Sequence, residues 1–285
     1  MEIVEAENRE DILRLVSHIS PQAREFVSEA FREQAVSVFH YSRTEEVHGV
    51  FCAAENDDCT IAYVSFLKMS MNESTLFLGL IDATIRTFLA RVDGKEFCFN
   101  VYGENEEVIA FIRSIGFQSD MEGYHLIYTK TELPDVPTSQ LIEKQFEPSM
   151  LQEFIELFDR GYLQLQLENG QITDWHSSNR VEFLNLLQNK TRSDELRSFW
   201  LDNQLIGYYL IHNNYIQDLV VNPDYQNCGY GGVILAHCVA HMRANKGIDN
   251  VCLRVAKSNW RAKRFYERNH FEELASFAEH TYIPG

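Results

Sequence analysis

The chain repeats itself at a fixed spacing, and that repeat restricts the fold more than any other feature of the sequence. Glu96-Phe97-Cys98-Phe99-Asn100-Val101-Tyr102-Gly103-Glu104-Asn105 stands 154 positions before Asn250-Val251-Cys252-Leu253-Arg254-Val255-Ala256-Lys257-Ser258-Asn259. Both stretches alternate like a strand and end on an Asn suited to cap a helix. Each runs on into a helical pattern carrying Phe111 or Phe265, and each then reaches Phe117 or Phe271 at the same offset. Upstream, Leu80, Ile81, Thr84, Ile85 and Phe88 match Ile234, Leu235, Cys238, Val239 and Met242, one face of a helix in both cases. Strand runs precede these helices, Ile61–Met69 and Tyr215–Val221. Hairpins precede the strands: Ser37–Arg43 with Val47–Ala54, and Leu196–Leu201 with Leu205–His212, where Asp202-Asn203 supplies the turn. Each half therefore reads β-α-α-β-β-β-α-β-α-β-β. Pro134 and Pro137 interrupt any regular element between the halves. The expected domains are residues 1–132 and 138–285, a comfortable division for 285 residues.

One connection in the second half carries chemistry. The strand ending at Val221 runs into Asn222-Pro223-Asp224-Tyr225-Gln226-Asn227-Cys228-Gly229-Tyr230-Gly231-Gly232 and then a helix. Glycines between a strand and a helix let the backbone turn through positive φ and approach a ligand closely. The helix start adds unsatisfied N–H groups and the positive end of its dipole. Together these suit a pyrophosphate. The loop lacks the G-K-[ST] ending of a P-loop and the G-x-G-x-x-G of a dinucleotide fold. Read alone, it also fits a tight strand-to-helix connection without a ligand.

Gln226-x-x-Gly229-x-Gly231, after Asp218-Leu219-Val220-Val221-Asn222-Pro223, resembles motif A of the GNAT (GCN5-related N-acetyltransferase) superfamily. Asn259-x-x-Ala262-x-x-Phe265-Tyr266-Glu267-x-x-x-Phe271 resembles the next motif of that family, in the expected order. His270 stands where the family usually has Gly before the Phe, so a local adjustment is expected at that helix exit. The resemblance implies an α/β fold (an α+β mixed sheet) of two tandem GNAT-like acyl-CoA N-acyltransferase domains. Each would be a mostly antiparallel sheet flanked by helices. It implies acetyl-CoA as cosubstrate. The backbone of Leu219, Val220 and Val221 would pair with the pantetheine arm. The amides of Gln226, Asn227, Cys228, Gly229, Tyr230, Gly231 and Gly232 would hold the pyrophosphate. Asn259 would touch the pantetheine or simply cap its helix. Arg254, Lys257, Arg261 and Arg264 would meet the 3′-phosphate of CoA or form a solvated face. Tyr266 fits the family's general acid, since a phenol is protonated at neutral pH; a half-buried structural Tyr is the other reading of that position. Asp218, His212 and Glu168 are bases by type, and the sequence assigns none. Trp175 and His176 fall on the substrate side, as pocket lining or as loop and cap residues.

The fixed offset tests the first half residue by residue. Gln226, Gly229 and Gly231 map onto Asn72, Thr75 and Phe77, with Glu73 beside them, and Tyr266 maps onto Ile112. Residues 1–135 hold 24 acidic and 11 basic side chains, against 18 and 14 in residues 136–285. A polyanionic cofactor is disfavoured there, so the first half is expected to keep the fold without the CoA site. Asn105, Gly116 and Phe117 then serve structure.

The formal net charge of −17 argues against a nucleic-acid partner. No apolar run reaches the length of a membrane span, and Met1-Glu2-Ile3-Val4-Glu5 is not a signal-peptide start. The six cysteines form no C-x-x-C pair, and no metal-ligand spacing occurs, so buried reduced thiols and no metal are expected. The expectation is a cytoplasmic monomer or homodimer that transfers the acetyl group of acetyl-CoA to a primary amine of a small molecule. Alternatives are a different acyl donor, a peptide amine as acceptor, or a non-catalytic acyl-CoA-binding sensor.

Overall fold

The computed structural model describes residues 6–68, 71–90, 95–103, 106–170 and 172–283. Asn105 and the strand expected at the start of the chain lie outside the described residues, as do the side chains of Asn72, Glu73 and Thr75. The chain forms two compact units, residues 1–125 with 275–285, and residues 126–274.

In the first unit, α1 (Ala6–Ser17) and α2 (Pro21–Arg32) lead into β1 (Val36–Arg43), β2 (His48–Glu55) and β3 (Cys59–Lys68). Then come α3 (Met71–Leu89), β4 (Glu96–Tyr102), α4 (Glu106–Ser114) and most of β5 (Phe117–Tyr128). The pairs β1–β2 and β2–β3 are antiparallel, and β3–β4 is parallel. Alternation sorts the two faces. On β2, Val50, Cys52 and Ala54 pack with Ile12, Leu15, Val16 and Val27 of α1 and α2. Phe51 and Ala53 pack with Ile81 and Ile85 of α3 and Ile112 of α4. A period of two on the strand and of 3.6 on the helices thus sandwiches the sheet between helical layers.

The second unit repeats the plan. It runs β6 (Ile142–Lys144), α5 (Leu151–Glu168), α6 (Trp175–Ser178), α7 (Arg180–Arg192), β7 (Leu196–Leu201), β8 (Gln204–His212) and β9 (Tyr215–Val221). Then follow α8 (Tyr230–Ala240), β10 (Cys252–Ala256), α9 (Trp260–Arg268) and β11 (Phe271–Tyr282). A π-turn over His241–Asn245 extends α8 and keeps Met242 fully buried with Ile234, Leu235, Cys238 and Val239. Strand pairs β6–β7, β7–β8 and β8–β9 are antiparallel, and β9–β10 is parallel. The expected mixed α/β architecture, mostly antiparallel with helices on both faces, is what the chain adopts. The helices α4 and α9, and the strands β5 and β11, have the same lengths at the 154-residue offset.

Two expectations are corrected. Each half closes on one long strand, β5 or β11, and not on two. The unit boundary does not fall at residues 133–137. The last three residues of β5, Leu126 to Tyr128, belong to the second unit, where the Tyr128 N–H donates to the Val251 carbonyl at 2.9 Å. The end of β11 belongs to the first unit, where Phe277–Thr281 pair antiparallel with Cys98–Tyr102. Alternating strand patterns look the same whichever sheet they join, so the sequence does not distinguish these cases.

His270 takes φ +66°, while its counterpart in the repeat, Gly116, takes φ +110°. Both helices leave through a left-handed residue, and only the first half uses the residue without a Cβ penalty.

Truncation after Leu274 removes the β4–β11 pairing and the buried side chains Phe277, Ala278 and His280. It should lower stability by several kcal/mol, at about 0.5–1.5 kcal/mol per lost hydrogen bond and about 3–5 for the Phe. The urea midpoint should fall, and proteolysis should cut residues 1–125 first. His270→Gly should instead raise the urea midpoint by the equivalent of about 0.5–1 kcal/mol, the left-handed strain relieved less the glycine entropy.

Candidate functional site

The site begins with a fault in the pairing of β9. Leu210 of β8 pairs with Asp218, but the next residue, Ile211, pairs with Ile216. Gln217 is left over as a bulge, which bends the strand and strengthens its twist. The parallel pairing with β10 ends at the same point: Tyr215 pairs with Cys252 and Ile216 with Leu253, and nothing beyond is paired. From Asp218 to Val221, β9 offers β10 an open backbone edge.

The first half provides the comparison. There β3 and β4 pair in the same register from Cys59↔Glu96 through Ser65↔Tyr102. Tyr63, the counterpart of Gln217, pairs regularly with Cys52, without a bulge. The slot open in the second half is hydrogen-bonded shut in the first. Phe77, the counterpart of Gly231, is buried edge-on against Phe66 at 4.9 Å and Phe51 at 5.8 Å. Ile112, the counterpart of Tyr266, is fully buried in that core.

Beyond β9, buried Asn222 starts a short 3₁₀ turn, Pro223–Tyr225, by accepting from the Asp224 N–H at 3.1 Å. The Gln226 amide donates to the Val221 carbonyl at 3.3 Å, tying the loop to the strand. Asn227 and Gly229 then take φ +62° and +87°, and Gly229 caps α8 with open space where a Cβ would stand. Within the described residues, no protein acceptor meets the backbone N–H groups of Asn227 through Gly231. They stand at the positive end of α8, ready for an anion. Cys228 is exposed.

Two interior glycines press the neighbouring elements onto Val220. A Cβ on Gly161 of α5 would stand 2.6 Å from Val220 Cγ1, and one on Gly207 of β8 would stand 2.4 Å from the Val220 carbonyl oxygen. Glycine inside a helix or strand is costly, and close approach is the reason for it here. Each precedes a tyrosine that the motifs do not mark. Tyr162 donates its hydroxyl to Asp218 Oδ1 at 2.7 Å. Tyr208 is fully buried on the same sheet face, and its hydroxyl has no hydrogen-bond partner. Burial raises the Asp218 carboxyl above the usual range against the opposing Tyr162 hydrogen bond. Burial and then the Asp218 charge raise both phenols.

Tyr266 lies half-buried on α9, edge-on to Phe271 at 5.7 Å. Burial raises its phenol, with the Cys238 thiol and the Asp218 carboxylate adding to the shift. Tyr266 and Asp218 therefore share one electrostatic neighbourhood. Asn259 caps α9, its carboxamide oxygen accepting from the Ala262 N–H at 3.2 Å. Arg261 and Arg264 are exposed and lie over the Trp260 ring at 5.4 and 5.1 Å.

The other candidate bases lie elsewhere. His212 Nδ1 is 3.3 Å from Lys190 Nζ, and Glu168 accepts from Gln164 on the exposed face of α5. His176 is buried, 2.9 Å from Asp159 and packed on Phe158 and Phe183, while Trp175 is more exposed. Among the described residues, no group of three His, Cys, Asp or Glu side chains could hold a metal, and no helix is long and apolar enough to cross a membrane.

Residues 151–271 match the Acetyltransferase (GNAT) family. The fold of the whole chain is similar to solved structures at low identity. A GCN5-related N-acetyltransferase from Sphaerobacter thermophilus is 14% identical, with a TM-score of 0.58 over 98% of this chain and 94% of that one. A GNAT-family acetyltransferase from Colwellia psychrerythraea is 12% identical, with a TM-score of 0.55 over 99% and 98%. No curated protein sequence matches the chain. The match to the GNAT acetyltransferase family spans residues 151–271, within the second unit.

Proposed function

We propose that the second unit transfers the acetyl group of acetyl-CoA directly to a primary amine of a small molecule. The observation that carries this reading is the parting of β9 from β10 after Ile216, beside an amide-lined loop. A pantetheine arm needs a strand-like edge, and Leu219, Val220 and Val221 offer one. A pyrophosphate needs amide donors without partners, and those of Asn227 to Gly231 are directed to it by the α8 dipole. A backbone N–H of the Val220–Val221 stretch polarises the thioester carbonyl as an oxyanion donor does. Arg261 and Arg264, exposed on α9, would meet the 3′-phosphate of CoA.

Tyr266 supplies the proton that the departing thiolate needs. Burial keeps this phenol protonated across the neutral range, the form an acid must start from. Asn259 holds the start of α9, the helix that carries Tyr266, through its cap.

Residues 1–125 keep the architecture and have given up the site. The zipped β3–β4 edge leaves no strand slot, and a buried Phe77 ring stands where the second half has Gly231. Ile112 has no proton to give.

Tyr266→Phe should lower turnover at least tenfold, followed by thiol release from acetyl-CoA with a panel of amines, while calorimetric acetyl-CoA affinity stays within about twofold. Unchanged turnover removes Tyr266 from the mechanism. Calorimetry of the full chain should give one CoA per chain; two equal sites would overturn the assignment of the first half.

A further inference from the structure

The helix α5 crosses the sheet strand by strand. Its Phe154 and Phe158 rings lie 5.1 and 5.4 Å from the Tyr208 ring of β8. Gly161 is pressed against Val220 of β9, and Tyr162 donates to Asp218 of the same strand at 2.7 Å. At the far end Asn169, which caps α5, donates from its side chain to Ser258 Oγ at 3.2 Å, just past the end of β10. From Tyr162 to Asn169 the helix advances by about 10 Å. Hydrogen-bonded strands lie about 4.8 Å apart. Between its anchors on β9 and beside β10, α5 therefore covers about two strand spacings, the width of one extra extended chain. That is where β9 and β10 have parted.

Gln166 stands in the middle of this span. It follows Tyr162 by one helical turn and precedes Asn169 by another, so the three share a face. Gln164 and Glu168 take the outward face, exposed and bonded to each other. The Gln166 side-chain oxygen is buried and meets no donor among the described residues. Under the same helix, on the β8 side, the Tyr208 hydroxyl is also buried without a partner. The first unit again supplies the comparison. There β3 and β4 stay paired, and α1, in the same place in the repeat, presents Ile12, Leu15, Val16 and Ile19, all fully buried. The helix over the closed sheet is aliphatic on its inner face, and the helix over the gap carries an unpaired carboxamide. Such a group lowers stability where it stands, which is reason to ask what meets it.

We infer that Gln166 sets the length of the acyl donor: it roofs the gap where the thioester lies and restricts the donor to a short acyl group, acetyl or propionyl. The inference rests on the CoA site proposed above. A pantetheine arm along Leu219 to Val221 brings its acyl group under α5. Tyr162 and Asp218 bound that space on the β9 side, and Gln166 covers it. A methyl group ends short of the carboxamide. A longer chain must lie against the Gln166 oxygen and shut it off from any donor, water included, or turn toward the Tyr208 hydroxyl and do the same there. An apolar channel acts in the opposite sense, since each buried methylene would tighten binding about fourfold. The sign of the chain-length dependence thus separates a carboxamide roof from an apolar one.

The test uses the full-length chain and the CoA thioesters of acetate, propionate, butyrate and hexanoate. Calorimetry reads affinity without an acceptor, and thiol release with a panel of amines reads turnover. In the wild type, affinity should fall from acetyl-CoA to hexanoyl-CoA by at least about tenfold. Gln166→Ala should remove most of that preference. Gln166→Leu keeps the bulk and removes the unpaired oxygen; it should weaken the preference in the same direction, and it carries the test if the alanine variant does not fold. Gln164→Ala, on the outward face, should keep the wild-type preference. Wild-type affinity that rises with chain length, or a preference for acetyl-CoA that survives in both Gln166 variants, would overturn this inference and leave the CoA site standing. Failure of every thioester to bind, acetyl-CoA included, would overturn the proposed function itself.

Discussion

The candidate site depends on one unpaired residue. Gln217 has no cross-strand partner, and its insertion bends β9 away from β10 after Ile216. Every later feature follows from that bend. The backbone of Leu219 to Val221 is open because β10 has gone. Asp218 is half-buried and not sealed because it sits at the mouth of the gap. The amides of the loop that follows, Asn227 to Gly231, have no protein acceptor among the described residues. A sheet edge inside a protein costs unmade hydrogen bonds, roughly 0.5–1.5 kcal/mol each, and a fold keeps such an edge where a ligand completes it.

The first half shows what the scaffold does without the bulge. Its β3 and β4 share the register of β9 and β10 at the start and continue together to Ser65↔Tyr102. The gap is not a property of the topology, which is the same in both halves. Three changes act together there: regular pairing at Tyr63, a ring at Phe77 and an aliphatic side chain at Ile112. The aromatic cluster of Phe51, Phe66 and Phe77 buries apolar area where the second half carries Gly231 in place of a ring. Closing the slot adds to the core of the first unit.

Much of this was legible in the sequence, because the repeat carries local rules. The spacing of Leu80, Ile81 and Ile85 and of their counterparts set the helices, and the Asn259 cap set the start of α9. The loop glycines were readable because positive φ is a local demand. The bulge was not, since Gln217 alternates properly within its strand and becomes extra only against β8. The fates of Leu126–Tyr128 and Ala275–Tyr282 were hidden for the same reason: an alternating strand does not record its neighbour. Tyr162 and Tyr208 read as ordinary amphipathic positions. Their one signal was the glycine before each, Gly161 and Gly207, placed where a helix or strand gains nothing from glycine unless another chain segment comes close.

Asp218 shows why that close approach matters. Drawing Gly161 and Gly207 onto Val220 brings α5 and β8 against β9, and so brings Tyr162 and Tyr208 to the carboxylate. A half-buried carboxylate with no contacting cation among the described residues is unfavourable, and a single phenol hydrogen bond offsets that only in part. A salt bridge would have been the more stable arrangement, as it is for Lys190 and Glu195 in the same unit. The arrangement gives up stability at one carboxylate, and Tyr162 alone holds it beside the open edge of β9.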